Sequence, residues 1–266
     1  MRAKMHGVCE GADMTDKQRE SEIALYLARR TYTYGALHVI FGAQPVANTV
    51  QLTTDENTIA ALQGIRAVVG FDELSGSAVR ACAGLQGRDT ADCLDDALAV
   101  LGEVAKHGVD DALVEILRGD YARLFDIPGD AYVHTWESPY TGTEGALFQA
   151  STLDVRSYYH QAGYRLQAEK HFPDDHIAAM MDYLRATSQN VYETYADGRD
   201  DEAARLLGVQ RRFLRHHVLS WVDVFARKVA ANDSHGYYAT LAAGMAAVAR
   251  VDYAYVDMLL MELAAE

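Results

Sequence analysis

Proline is scarce in this 266-residue chain, and three of its four prolines (Pro128, Pro139 and Pro173) fall between Asp120 and Arg185. Proline breaks helix interiors, so the long proline-free stretches on either side are free to be helical. Cysteine is scarcer still. Cys9, Cys82 and Cys93 lie far apart and form no CxxC pair. An odd count without framework spacing points to reduced thiols, with Cys82 and Cys93 packing as small apolar residues. No apolar run approaches the ~20 residues that a membrane helix needs. The first ten residues carry basic side chains with no apolar run behind them, so they do not read as a secretory signal. The expected setting is cytoplasmic, without stable membrane insertion. Positive charge is also in deficit, 24 Lys and Arg against 38 Asp and Glu, for a net charge of −14. No basic footprint for nucleic acid is present.

Catalytic signatures are missing as well. The chain has no phosphate loop, no GxGxxG after a strand, no HExxH and no nucleophile elbow. Its ten histidines include His171 and His176, five apart, and adjacent His216 and His217. Neither spacing places two rings on one helix face, and no Glu-x-x-His pair is present for a carboxylate-bridged metal bundle. No metal, cofactor or catalytic residue is expected.

What the chain does have is helical periodicity. Residues 1–14, with Gly7 and Gly11 and no apolar period, read as a disordered terminus, and Met14 is an alternative start. From Thr15, as N-cap, apolar residues recur at three- and four-residue spacing from Ile23 to Leu37, until Gly42 and Pro45 end the helix. Val46 to Thr54 reads as loop. Further helices follow from Thr54 or Asp55 to Val69, from Asp72 to Leu85, from Thr90 to Gly108, and on through Leu113 to Phe125. Later ones run from about Thr143 to Gly163, from Pro173 past Val191, through Leu206 to Phe225, and through Leu241 to Leu259. No segment alternates with period two. The expectation is an all-α fold over residues 15–266, a single helical-bundle domain of about nine helices with one long loop near residues 126–142.

That loop draws attention because it is rich in aromatics, with Tyr132, Trp136 and Tyr140. Large aromatics bounded by proline and glycine either anchor a loop or line an apolar site. Beyond it, Pro173-Asp174-Asp175-His176 reads in two ways. Proline followed by two acids suits a helix N-terminus, and the acids with His176 also make an acid–base group. The helical stripe Tyr121, Leu124, Phe125 reads as core.

Together these pieces resemble the TorD/DmsD family of chaperones that mature molybdenum-containing oxidoreductases. The resemblance rests on Tyr121, Leu124-Phe125 and Pro128-Gly129, then Trp136, Ser138 and Tyr140 in the loop. It continues with Val155-Arg156, Gly163 and Pro173-x-Asp175-His176-Ile177, and ends with Phe213-Leu214, His217 and Trp221. Where the family often has Pro-Pro before the loop aromatic, this chain has His134-Thr135. The resemblance implies a non-enzymatic protein, monomeric or a helix-swapped dimer. Its implied partners are the twin-arginine leader and the body of a molybdopterin oxidoreductase.

The implied leader site comprises Tyr121, Leu124, Phe125, Pro128, Trp136, Ser138, Tyr140, Pro173, Asp174, Asp175 and His176, with Asp174 and Asp175 meeting the arginines. Charge fits such a partner, since Asp120 to Glu202 holds 15 acids against six basic residues. Met180 and Met181 suit a surface that accepts varied apolar side chains. A helical metal-dependent hydrolase built on Asp174, Asp175 and His176 is the alternative, as is a generic helical interaction module.

Overall fold

Helix α1, Asp16–Gly42, runs against α8, Ile177–Ala196, and this pair forms one side of an all-helical fold. The computed structural model describes residues 16–70, 88–142, 150–166 and 173–263. Between α1 and α8 come α2 (Ala47–Thr53), α3 (Glu56–Ala67), α4 (Thr90–His107), α5 (Asp111–Tyr121), α6 (Ser138–Thr141) and α7 (Ala150–Gln161). Three more follow: α9 (Asp200–Phe213), α10 (Val222–Asn232) and α11 (Tyr237–Leu263). Among the described residues there is one isolated bridge, Trp136 with His176, and no named strand. No described helix is long and apolar enough to cross a membrane.

Helix α11 is the axis. It packs on α4, α9 and α10, and apolar side chains from Leu241 to Leu259 are buried around much of its circumference. It approaches α4 closely: a Cβ added at Gly244 would lie 2.7 Å from that of Ala97. Buried Cys93 takes part in this core.

Three helices start at aspartate N-caps, of which Asp55 was expected. Asp55 accepts the N–H groups of Asn57 and Thr58, and Asp89 and Asp110 cap α4 and α5 in the same way. Gly108 and Gly163 end helices at φ +80° and +71°, a region that L side chains rarely adopt.

Two expectations need correction. Val46 to Thr54 is mostly helix, because Thr49 Oγ1 accepts the Val46 N–H and donates to its carbonyl, each at 2.9 Å. The Thr53 and Thr54 hydroxyls then donate to the Val50 carbonyl at the other end. Helix α8 starts at Ile177 rather than Pro173, with His176 as its N-cap. The segment 126–142 is a long loop, as expected, ending in the short helix α6, and its backbone is tied to neighbouring elements. Val133 N–H donates to Leu124 O at 2.7 Å, Glu137 N–H to Asp175 O at 3.0 Å, and Ile177 N–H to Thr135 O at 2.8 Å. Residues 1–14, the Thr15 cap, the Asp72–Leu85 helix and the start near Thr143 lie outside the described residues.

Two helices carry a π-helical turn at their C-terminal ends, at Ala122–Asp126 after α5 and at Leu214–Val218 after α9. Each is closed by an i→i+5 bond of 2.8 Å, Ile127 N–H to Ala122 O and Leu219 N–H to Leu214 O. Such turns recur at functional sites. Here one holds Leu124 and Phe125, and the other holds His217.

Candidate functional site: a groove between α1, the 122–126 turn and α8

The extended segment before α6 meets the start of α8 through the Trp136–His176 bridge, and this junction forms one wall of a groove. The C-terminal half of α1 contributes His38, Gly42 and Gln44 just beyond it; the turn after α5 contributes Phe125 and Asp126. Helix α8 brings Ala179 and Asp182, and Tyr164 stands beside them. The volume is about 880 Å³, near the upper end of the range for ligand clefts.

Aromatic packing shapes the groove from behind. Tyr121 and Phe125 meet edge to face at 5.1 Å, and Phe125 reaches Phe41 at 6.0 Å. The Tyr121 hydroxyl donates to the Phe41 carbonyl at 3.1 Å. His176 lies 5.2 Å from the Trp136 ring, near perpendicular to it. Its Nδ1 accepts the Ala178 N–H at 3.1 Å, while His38 Nδ1 donates to the Ala178 carbonyl at 2.9 Å. Burial first, and His38 second, push the His176 imidazole down to about 4. It is therefore neutral near pH 7 and adds no positive charge to the groove.

Of the eleven residues predicted for the site, Tyr121, Phe125, Trp136, Pro173 and His176 line the groove. The others are not among the residues that line it. Leu124 is core. Tyr140 anchors its segment, stacking on Trp221 at 5.0 Å and donating to the His134 carbonyl at 2.6 Å, with Lys228 over its ring. Pro128 is exposed at the turn that follows α5.

Asp174 and Asp175 are 1% and 0% exposed. Asp174 Oδ2 accepts Arg156 Nε at 2.7 Å, and Asp175 Oδ2 accepts the Ser138 N–H at 2.8 Å. The structure thus commits the two acids to holding α7 and α6 against the start of α8. His38, Gln44, Asp126, Tyr164 and Asp182 were not anticipated. Asp182 had a signal, standing three residues after Ala179 on one helix face. His38 had none, since α1 reaches the groove only through tertiary packing.

Behind the junction, His217 is held between two carboxylates. Its Nδ1 lies 3.0 Å from Glu137 Oε2, and its Nε2 lies 3.0 Å from Asp154 Oδ2. Burial would lower the imidazole, but the hydrogen bonds and charges of Glu137 and Asp154 outweigh it and hold His217 above its usual value. A raised histidine contributes stability that is fully present below the unfolded-state pKa of about 6.5 and is lost as pH rises through the folded value. Burial raises Glu137 too, which acts in the same direction. Denaturant unfolding is therefore expected to give lower stability at about pH 9 than at about pH 6, with His217→Gln flattening that difference. An equal slope in both proteins would show that His217 does not carry the effect.

Residues 89–227 match the family described as nitrate reductase delta subunit. A protein named "Chaperone protein TorD" from Photobacterium profundum is 24% identical over 147 residues, 55% of this chain and 66% of the relative. That last share is just under two thirds of the relative's length. Another of the same name, from Shewanella loihica, is 24% identical over 193 residues, 71% of this chain and 78% of the relative. A "Probable Tat proofreading chaperone DmsD" from Haemophilus influenzae is 25% identical over 134 residues, 50% of this chain and 59% of the relative. The family match covers more than half of the chain and contains the aromatic stripe, the Trp136–His176 junction, Asp182 and His217. With the all-helical architecture, it identifies the chain as a member of the TorD/DmsD family.

Proposed function

We propose that this chain is a maturation chaperone that receives the twin-arginine leader of a molybdenum-containing oxidoreductase in the groove and attends the body of that enzyme before export. The observation that carries the reading is the groove itself. It combines apolar and aromatic walls with carboxylates, in a chain of net charge −14. A leader that is basic and then apolar matches both properties: the charge raises the encounter rate and the walls take the apolar part. The names of the relatives support the same role. The hydrolase alternative loses its proposed acids, because Asp174 and Asp175 are buried and bonded to Arg156 and Ser138.

Titration calorimetry of the full chain with a synthetic twin-arginine leader tests the proposal. Saturable binding is expected, weakened about tenfold when both arginines become lysine, because lysine cannot make the planar two-point contact. It should also weaken as salt is raised. Equal binding to a scrambled peptide of the same composition would leave a generic interaction module; no binding at all would end the proposal.

A further inference from the structure

Since Asp174 and Asp175 are buried, other carboxylates must meet a cation in the groove. Among the described lining residues these are Asp126 and Asp182, which come from separate walls. Asp126 closes the turn after α5. It is exposed, and its Oδ2 accepts Gln44 Nε2 at 2.7 Å. Asp182 sits on α8 with its side chain 22% exposed. Its Oδ2 accepts the Tyr164 hydroxyl at 2.5 Å, and its Oδ1 accepts Arg185 Nε at 2.7 Å.

A carboxylate offers about four acceptor positions. Each of these two therefore retains capacity for an incoming guanidinium. The cation already at Asp182 is weakly placed. Arg185 bonds through Nε alone, from three residues along the same helix, and its side chain is 42% exposed. An arginine arriving from a peptide has the two-point geometry that Arg185 does not use here.

Peptide geometry favours this pair over two adjacent acids. Successive side chains of an extended chain point to opposite faces. Two consecutive arginines therefore suit carboxylates on different walls better than neighbours such as Asp174 and Asp175. The remaining charged or titratable groups among the described lining residues are Arg165, which has interactions of its own, the histidines His38 and His176, and the phenols Tyr121 and Tyr164.

We propose that Asp126 and Asp182 each receive one of the two arginines of the leader, and that Arg185 is an internal stand-in which the leader displaces from Asp182. This rests on the groove being the leader site.

The test is calorimetry on the full chain with a twin-arginine leader and with two leaders in which one or the other arginine is alanine. Asp126→Asn and Asp182→Asn are each expected to weaken twin-arginine binding about tenfold. Each substitution should have little further effect on the leader that lacks its matching arginine, a dependence that a merely structural role would not produce. Arg185→Gln removes the competitor and is expected to tighten binding severalfold, and circular dichroism melting checks that all variants are folded. A wild-type chain that binds the leader while both Asn variants bind equally well would overturn the assignment and leave the proposed function standing. Weaker binding by a folded Arg185→Gln chain would overturn the stand-in. A wild-type chain that binds no leader would overturn both readings.

Discussion

Asp252→Ala is expected to lower the free energy of unfolding by about 3–5 kcal/mol, the largest single-residue loss foreseen in this chain. Asp252 lies on α11 and Arg30 on α1, and both are fully buried. Arg30 Nε donates to Oδ1 at 2.7 Å and Nη2 to Oδ2 at 3.0 Å, a two-point contact. Tyr26 and Tyr34 donate their hydroxyls to the same carboxylate at 3.2 Å and 2.5 Å, and burial pushes both phenols well up. Removing the carboxylate leaves a guanidinium without a counter-charge in a dry interior, together with two phenols without their acceptor. That loss is a large share of the roughly 5–15 kcal/mol by which a protein is ordinarily stable. Denaturant unfolding should show the midpoint falling with little change in slope. The control is the double substitution Arg30→Met with Asp252→Leu, which removes both charges and is expected to recover the part of the loss that comes from the unpaired guanidinium, with the two phenols still lacking their acceptor. If Asp252→Ala unfolds at the wild-type midpoint, the pair does not hold α1 to α11.

That clamp shows why some of the architecture was legible in the sequence and some was not. Helix α1 could be drawn from Ile23, Tyr26, Leu27 and Leu37, because helical periodicity is a local property. Arg30 and Asp252 are 222 residues apart, and nothing local to either says that they meet. The same division runs through the site. Tyr121, Phe125, Trp136 and His176, which line the groove, stood out because they fall in a recognisable order along one stretch. His38 and Gln44 escaped because they belong to the opposite wall, brought there by the α1–α8 contact. Helix α2 was missed for another reason. Its β-branched residues argue weakly for helix, and its start depends on a threonine hydroxyl three residues in rather than on a polar N-cap.

The acids after Pro173 are more instructive, because the sequence marks them and the structure buries them. Two carboxylates after a proline match the electrostatics of a helix start. In the structure the helix begins later, at Ile177, and His176 takes the cap. This frees Asp174 and Asp175 for tertiary bonds, and it removes the conflict between a cationic ligand and the positive end of the α8 dipole. Asp182, more than one turn into α8, is largely clear of that dipole.

The role of Asp175 can be separated experimentally from that of a ligand contact. Asp175→Ala is expected to cost about 2–3 kcal/mol, because it orphans the buried Ser138 N–H and opens a void. Leader binding should fall with it, since the Trp136–His176 junction is the wall that this bond supports. Asp175→Asn is the discriminating variant. Its carbonyl oxygen still accepts the Ser138 N–H, and loss of the charge relieves the repulsion that Asp175 adds to the burial of Glu137. Denaturant unfolding should therefore place Asp175→Asn close to the wild-type chain, and calorimetry should show most of the leader affinity retained. If Asp175 met an arginine directly, the two variants would bind equally poorly while the Asn protein stayed fully stable. A carboxylate with no exposed surface gives a leader nothing to touch, so affinity should follow the hydrogen bond to Ser138 and not the charge.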